Sequence, residues 1–492
     1  VKAALSGLAE AQNSLGQAYH NGHGVDIVQV QAVKYWHLAA KKGNAQAQFN
    51  LGLAYLEEIG VKQDLAKVVK YWKLAADQGH AEAQNRLGLA FEAGHGVEQD
   101  LHEAAKFWKL AADQGHAEAQ YRLGLAFEAG HGVELDLHEA VKFWKLASDQ
   151  GHGEAQQKLA FAYLNGDGLK IDWNQAVNYF RLAADQGHPE AQYNVAFFYL
   201  NGYGVEKDFD QAIKYLRLAA DNGLTESYFA LGQAYLNGEG DEQDPAQAVK
   251  YFHLAADLED DEAQYILAQA YRKGHGVEQD LRKAADFLKL AADQGHDEAQ
   301  FYLAQAYFKG EGVEKDPAQA VKYFGLAADQ GDPEAQHNLA LLYLNGEGVK
   351  KDLEQAIKYF KWAADQAFPE SQFALSQCYR YGKGVNKNLN QAAKYLFLAA
   401  EKGHAEAQNR LGQAFRDGLG VRKNLTIAAC FFSMAAGQGH GEAQFHLALA
   451  FQSGQGVKEN LDQAIQYFES SAKQGFEPAV KKLSQLKAKT RK

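Results

Sequence analysis

The sequence predicts an all-α protein, a tandem array of thirteen helix-turn-helix repeats of 36 residues each. Three observations carry this. Glycine recurs at Gly7, Gly43, Gly79, Gly115, Gly151, Gly187, Gly223, Gly295, Gly331, Gly403, Gly439 and Gly475, always a multiple of 36 apart, and only Glu259 and Ala367 interrupt the series. A second series runs from Gly24, Gly60 and Gly96 to Gly456 with no exception in thirteen. Between these marks each period holds two runs with apolar residues at helical spacing.

The first helix of a repeat, helix A, is read from the repeat 80–115. Ala83, Leu87, Gly88, Ala90 and Phe91 form its packing face. Pro189, Pro333 and Pro369 stand one residue after the His80 position, and proline favours the first helical residue. Gly94-His95-Gly96 ends the helix, because glycine takes the left-handed conformation that stops it. Helix B follows an N-cap at Asp100, which Asp244-Pro245 and Asp316-Pro317 mark in other repeats. Glu103, Glu139, Gln175, Gln211 and their equivalents lie three residues after that cap, the spacing of a capping box. Ala104, Phe107, Trp108, Ala111 and Ala112 are the buried face of helix B, and Gly115 ends it. One such unit cannot bury its own apolar face, but stacked neighbours can.

The division gives repeats 8–43, 44–79, 80–115, 116–151, 152–187, 188–223, 224–259, 260–295, 296–331, 332–367, 368–403, 404–439 and 440–475, read as a single continuous array over 8–475. Residues 476–492 read as a half-repeat capping helix with a basic end, carrying Lys481, Lys482, Lys487, Lys489, Arg491 and Lys492. Repeats 80–115 and 116–151 differ at only four positions, so copying accounts for part of the pattern. Repeat 224–259 is degenerate: Asp241 replaces the loop valine and Glu259 the terminal glycine. Loss of that left-handed cap predicts a local change between repeats.

Composition excludes several classes. Over 492 residues, 47% are hydrophobic, and no apolar run is long enough to cross a membrane. A net charge of -12 argues against general nucleic-acid binding, which needs a basic face. Two cysteines exclude a disulfide scaffold; Cys378 falls at an alanine position and is expected to be buried, and Cys430 takes the exposed Lys106 position. The first residue is Val1, so the chain is read as processed or trimmed, and whether a signal peptide preceded it is left open.

No catalytic, cofactor or metal residues are expected. The loop glycines lack the preceding strand and the Lys-Ser/Thr of a phosphate loop. Seven histidines, including His80, His116, His152 and His296, share one position just before helix A; they are one period apart, too far to share a metal ion, and are read as helix caps. Acidic clusters at Glu239, Asp241, Glu242 and Asp244, and at Asp257 and Glu259 to Glu262, lack the calcium-loop spacing and read as a solvated edge.

The pattern of the repeat 80–115, with Ala81, Ala83, Gln84, Leu87, Gly88, Phe91, Gly94, Gly96, Val97, Asp100, Ala104, Phe107, Trp108, Ala111, Ala112, Gln114 and Gly115, resembles the Sel1-like repeat of the tetratricopeptide-like superfamily. The resemblance covers nearly the whole chain. It implies an α/α solenoid superhelix with helix A on the concave side, and a bacterial, non-enzymatic scaffold or adaptor. It also implies a role in envelope signalling or host interaction, with a secreted or periplasmic location favoured by the family alone. Its cysteine-rich subgroup does not fit a chain with two cysteines in different repeats.

Function is expected at helix A positions left free by packing. The positions of Asn85, Leu89 and Glu92 share a face opposite Ala83, Leu87 and Ala90. In the resembled superfamily this face lines the groove. The first position is aromatic in eight of thirteen repeats, including Phe49, Tyr121, Tyr193, Phe229, Tyr265, Phe301 and Phe373. The second gives Leu89 and Leu125 early, then Phe161 and Phe197, then Gln233, Gln269, Gln305, Gln377 and Gln413. The third gives Glu92 and Glu128 early, and Arg272, Phe308, Arg380 and Arg416 late, with Lys309 beside it. The groove should therefore grade from acidic, through apolar, to basic and glutamine-lined. Aromatics beside glutamines suit an extended peptide, and the cations suit its carboxylates. A protein or peptide partner of a monomeric chain is thus expected, with a glycan on the same aromatic and glutamine surface as the alternative. The same rings would also serve packing between repeats.

Overall fold

A computed structural model describes residue 4, residues 7–238 and residues 243–490. Among the described residues it contains 27 α-helices and no strand. Glu239, Asp241 and Glu242 of the acidic cluster, and the side chains of Lys487, Lys489, Arg491 and Lys492, lie outside the described residues. The chain divides into an N-terminal body, Val1–Asp244, and a C-terminal body, Pro245–Lys492. The division falls inside the degenerate repeat 224–259, after its helix A (Glu226–Asn237) and before its helix B (Pro245–Ala256). Each body is an α-solenoid of consecutive helix pairs.

The third repeat shows the common plan. Helix A, Ala81–Ala93, ends at Gly94 with φ 70°, whose N–H donates to Ala90 O. Helix B, Leu101–Asp113, starts at Asp100, whose carboxylate accepts the N–H groups of His102 and Glu103. The capping box expected from the spacing does not close. The Asp100 N–H, which Glu103 would have to bind, donates instead to Phe91 O at 3.0 Å. The same clamp joins Asp136 to Phe127, Asp172 to Tyr163 and Asp316 to Tyr307. It ties the end of helix A to the start of helix B in one hydrogen bond. Beside it the rings of Phe91 and Phe107 stack at 5.7 Å, as do Tyr55 and Tyr71 at 5.9 Å and Tyr307 and Tyr323 at 6.0 Å.

Each repeat is closed by an amide pair, and the buried member also reaches back to the preceding repeat. Gln84 is buried, donates to Ala76 O, and its Oε1 accepts from Gln114 Nε2 at 2.6 Å. The pair recurs as Gln120 with Gln150, Gln156 with Gln186, and Gln300 with Gln330. Where the second member becomes lysine, at Lys42 and Lys402, the buried Oε1 of Gln12 and of Gln372 is left without a partner. The core also trades size between helices. Gly16, Gly52, Gly88 and Gly124 each face a tryptophan of helix B: Trp36, Trp72, Trp108 and Trp144. From Ala160 and Phe180 onward the pair is mostly alanine with phenylalanine or leucine.

The two glycine series answer to different demands. A Cβ at Gly60 would stand 2.6 Å from the Gln29 carbonyl carbon, and one at Gly204 2.6 Å from Trp173 O. This glycine lies against the first residue of the preceding repeat's helix B, so no side chain fits. At Gly79 and Gly115 a Cβ would meet nothing within 4 Å, and only the positive φ favours glycine. The exceptions fall in this permissive series. Glu259 (φ 67°) and Ala367 (φ 63°) keep the left-handed conformation, and Asp260 N still donates to Ala255 O. The cap expected to be lost at Glu259 is therefore retained, at the cost of a strained backbone.

Candidate functional site: the helix A face

The histidines before helix A are caps and inter-repeat links at once. Nδ1 of His116 accepts the Ala119 N–H, so the proton sits on Nε2, which donates to Glu82 Oε2 at 2.8 Å. His152 bonds Glu118 in the same way at 2.9 Å, and His440 bonds Glu406 at 2.6 Å. Arg122 adds a bond to Glu118 at 2.7 Å. His152 first, then Arg122, hold the Glu118 carboxyl down to about 2. Ligand atoms of His296, Asp297 and Glu298 lie within 4.8 Å of one another. Both His296 nitrogens are engaged, however, by Ala299 N–H and Glu262 Oε2.

Those histidines receive the aromatic column expected in the groove. Phe49 stacks on His80 at 4.8 Å, Tyr121 on His152 at 4.8 Å, Tyr265 on His296 at 4.5 Å and Phe373 on His404 at 4.8 Å. Burial pushes the Tyr265 phenol up to about 12. Phe49 and Phe301 are buried outright, Phe301 against Phe324 at 5.8 Å, which corrects the expectation of open groove rings at these two positions. Tyr193 and Phe229 are half-buried. In one repeat the two roles are exchanged: His337 takes the aromatic position and meets Phe368 at 5.5 Å in the cap position.

The accessible part of helix A lies one turn further on. Phe161, Phe197 and Gln233 are exposed, and Gln269, Gln305, Gln377 and Gln413 are half-buried. So are Arg272, Phe308, Arg380 and Arg416, and Lys309 is exposed. Glu128, Arg272, Gln413 and Arg416 reach across to the position of Arg86 in the next repeat, which the sequence pattern alone did not single out. Glu128 pairs with Lys158 at 2.7 Å, so one of the early acids is neutralised. Arg272 lies over the Tyr302 ring at 4.5 Å and donates to Gln269 Oε1. Arg416 pairs with Asp417 through two bonds and contacts His446 Nδ1 at 3.2 Å. Gln413 donates to Glu442 at 2.9 Å. Burial, with Arg416 beside it, pushes the His446 imidazole down to about 4. Arg380 lies over Tyr381 at 5.5 Å, Lys315 over Phe308 at 5.8 Å, and Lys309 stands 3.9 Å from Glu311. The signal that would have found the Arg86 position is its variation, through Arg122, Lys158, Asn194, Tyr302 and His446, beside the nearly constant leucine of the Leu87 position.

His337 and Ser371 form a serine–histidine hydrogen bond of 2.8 Å. Ser371 is fully buried, so its hydroxyl meets no substrate. A broad depression of about 1260 Å³ in the C-terminal body is lined by Arg282, Lys289 and Lys322 with Asp286 and Asp293. It is wide open to solvent, and its buried Tyr323 donates to Asp293 at 2.9 Å. No helix among the described residues is long and apolar enough to cross a membrane. Cys378 is buried and Cys430 exposed.

A tandem helix-turn-helix solenoid, with constant packing residues and a variable accessible stripe, defines a repeat scaffold of the tetratricopeptide-like class. The family model described as the Sel1 repeat matches thirteen times without a gap, from 9–44 to 441–476, one residue later than the division used above. The chain belongs to the Sel1 repeat family. Two solved structures support this. A protective antigen present in uropathogenic Escherichia coli strains, displaying an SLR fold, is 31% identical; the match covers 91% of this chain and 97% of that one, with a TM-score of 0.66. A Sel1 repeat protein from Oxalobacter formigenes is 31% identical over 66% of this chain and 93% of its own, with a TM-score of 0.55. No curated protein sequence matches the chain. Sel1-repeat proteins are, as a family, non-enzymatic scaffolds for protein interaction.

Proposed function

We propose that this chain is a protein-binding scaffold that takes partner segments along the helix A face. The observation that carries the reading is the stripe at the positions of Leu89 and Glu92. Its side chains remain accessible in both bodies and change from leucine to phenylalanine to glutamine, while the positions of Ala83 and Leu87 on the opposite face stay buried and nearly constant. Fold stability does not require that variation, and partner selection does. Of the residues named from the sequence, Phe197, Gln233, Gln269, Arg272, Gln305, Phe308, Lys309, Gln377, Arg380, Gln413 and Arg416 form this surface. Phe49, Tyr121, Tyr265, Phe301 and Phe373 act behind it by fixing the angle between repeats. Thirteen repeats used as one array would engage an extended partner or several partners. The E. coli relative is a protective antigen, and a host-contact or envelope role is carried into the proposal on that ground. No feature of the stripe favours a glycan.

The test is site-specific photocrosslinking in the full chain. A crosslinker at Gln305 or Gln377 is compared with one at Leu110 or Lys106 on helix B, in lysate of the source cells. A protein captured from the helix A positions and absent from the helix B positions supports the reading. Capture from helix B alone, or from neither, refutes it.

A further inference from the structure

Three positions, two on helices and one in the loop between them, depart from the repeat pattern toward large aromatics, and they do so in the same two repeats, 152–187 and 188–223. The Leu89 position holds phenylalanine only at Phe161 and Phe197. The His95 loop position carries a tyrosine only at Tyr203, and the Leu101 position a tryptophan only at Trp173. Phe161 packs on Phe180, and the other three lie together. Trp173 meets Tyr203 edge-on at 4.7 Å, and Tyr203 lies 6.1 Å from Phe197. Trp173 is 39% exposed, Tyr203 40% and Phe197 47%. Scattered exposed apolar residues are ordinary, but a contiguous aromatic surface on a folded chain marks an interaction site. None of these side chains is needed at its place by the fold, since leucine and histidine serve there in other repeats.

The rim of this surface is acidic. Asp167, Asp172, Glu206, Asp208 and Asp210 are all exposed, against Lys170 and Lys207. Ring faces and an excess of carboxylates both favour cations, and the rings favour apolar anchors. We propose that Trp173, Tyr203 and Phe197, which carry the helix A face over the loop edge, form a docking site for a basic protein segment bearing apolar anchors, such as lysines interspersed with leucine or phenylalanine. This rests on the scaffold reading above and adds the partner's chemistry and its place.

The experiment uses the full chain and three labelled probes: a short peptide of lysine and leucine with one phenylalanine, and the same peptide with glutamate or with glutamine in place of lysine. Binding is read by fluorescence anisotropy. The lysine peptide should bind more tightly than the other two, and its affinity should fall as salt rises. The exchange Trp173→Leu/Phe197→Leu/Tyr203→His installs the residues of Leu101, Leu89 and His95, and so preserves the fold. It should weaken binding about tenfold or more, as loss of aromatic anchors does. An affinity unchanged within about twofold, equal binding of the glutamate peptide, or no binding of the lysine peptide would overturn the proposal. Self-association of the wild-type chain that the exchange abolishes would give the patch to a second copy, and would overturn it too. Gln305→Leu/Gln377→Leu alters the helix A face of the C-terminal body and leaves this patch intact. A peptide insensitive to that variant and sensitive to the aromatic exchange supports the patch even where the wider helix A reading fails.

Discussion

The glycine–tryptophan pairs make a measurable prediction, because helix propensity and packing disagree about its sign. Gly88 lies in the interior of helix A, where alanine is worth about 1 kcal/mol more than glycine. On propensity alone Gly88→Ala stabilises. But a Cβ at Gly88 would run into Cδ1 and Nε1 of Trp108, as one at Gly16 would stand 2.6 Å from Trp36 Cδ1. Trp108 is buried and its Nε1 has no partner, so the ring has no room to withdraw. Overpacking of this kind costs about 1–3 kcal/mol. The net expectation is destabilisation by about 0–2 kcal/mol. Trp108→Phe alone removes part of a buried ring and destabilises as well, by about 1–2 kcal/mol. The double variant recreates the native pair of Ala160 and Phe180, both fully buried. It should be more stable than the sum of the singles predicts by about 1–3 kcal/mol. Because a repeat array does not unfold as one two-state unit, the assay should be local. Hydrogen exchange of the amides in Ala81–Ala93 and Leu101–Asp113 gives the opening free energy of that repeat. A stabilising Gly88→Ala, or additive singles, would refute the packing account.

Lys402→Gln should restore the amide pair missing at Gln372 Oε1 and stabilise repeat 368–403 by about 1 kcal/mol, read as slower hydrogen exchange of the amides in Pro369–Tyr381. Ala367→Gly should relieve the left-handed backbone and raise the local opening free energy read by hydrogen exchange, by about 1 kcal/mol, where glycine in an ordinary helix would lower it. The Glu118 carboxyl titrates at about 2 in the folded chain against 4.5 in its absence. Its folded pKa is depressed, so its contribution is complete above about 4.5 and is lost as pH falls toward 2; Glu118→Gln should flatten stability across that window. The same sign holds for His446, depressed from 6.5 to about 4. Folding favours the neutral ring, so stability falls from pH 6.5 down to 4, and His446→Gln should flatten the opening free energy of Gly441–Ser453, read by hydrogen exchange through that range.

The fold was legible because each repeat states the same instructions again, and copying errors mark which instructions are strict. Gly96 and its equivalents have no exception, while the Gly79 series has two, and this difference is visible in the sequence alone. Its cause was not: one glycine lies against the carbonyl of the preceding repeat's helix B, and the other needs only a positive φ, which Glu259 and Ala367 also supply. The capping box shows the limit from the other side. Glu103 has the right spacing from Asp100, but the N–H it would bind is already taken by Phe91 O, a contact made between two helices and absent from any local motif.

The candidate site was harder to read, because aromatics that recognise a partner and aromatics that pack repeats have the same composition and period. One pair of residues in the sequence separates them. Where the aromatic position becomes His337, the cap position 31 residues later becomes Phe368, and the two rings meet at 5.5 Å. A change at one position answered by a change at another is the mark of residues that touch each other. At the position of Leu89 the answer is only partial: Phe161 meets Phe180 edge-on at 5.0 Å, where earlier repeats set a leucine near a tryptophan, whereas the later Gln233, Gln269 and Gln305 remain accessible. Variation that the chain does not compensate internally has to be matched outside it. That is the physical reason for placing the partner on this stripe, and on the aromatic patch at Trp173 and Tyr203, and not on the more abundant rings beside the histidines.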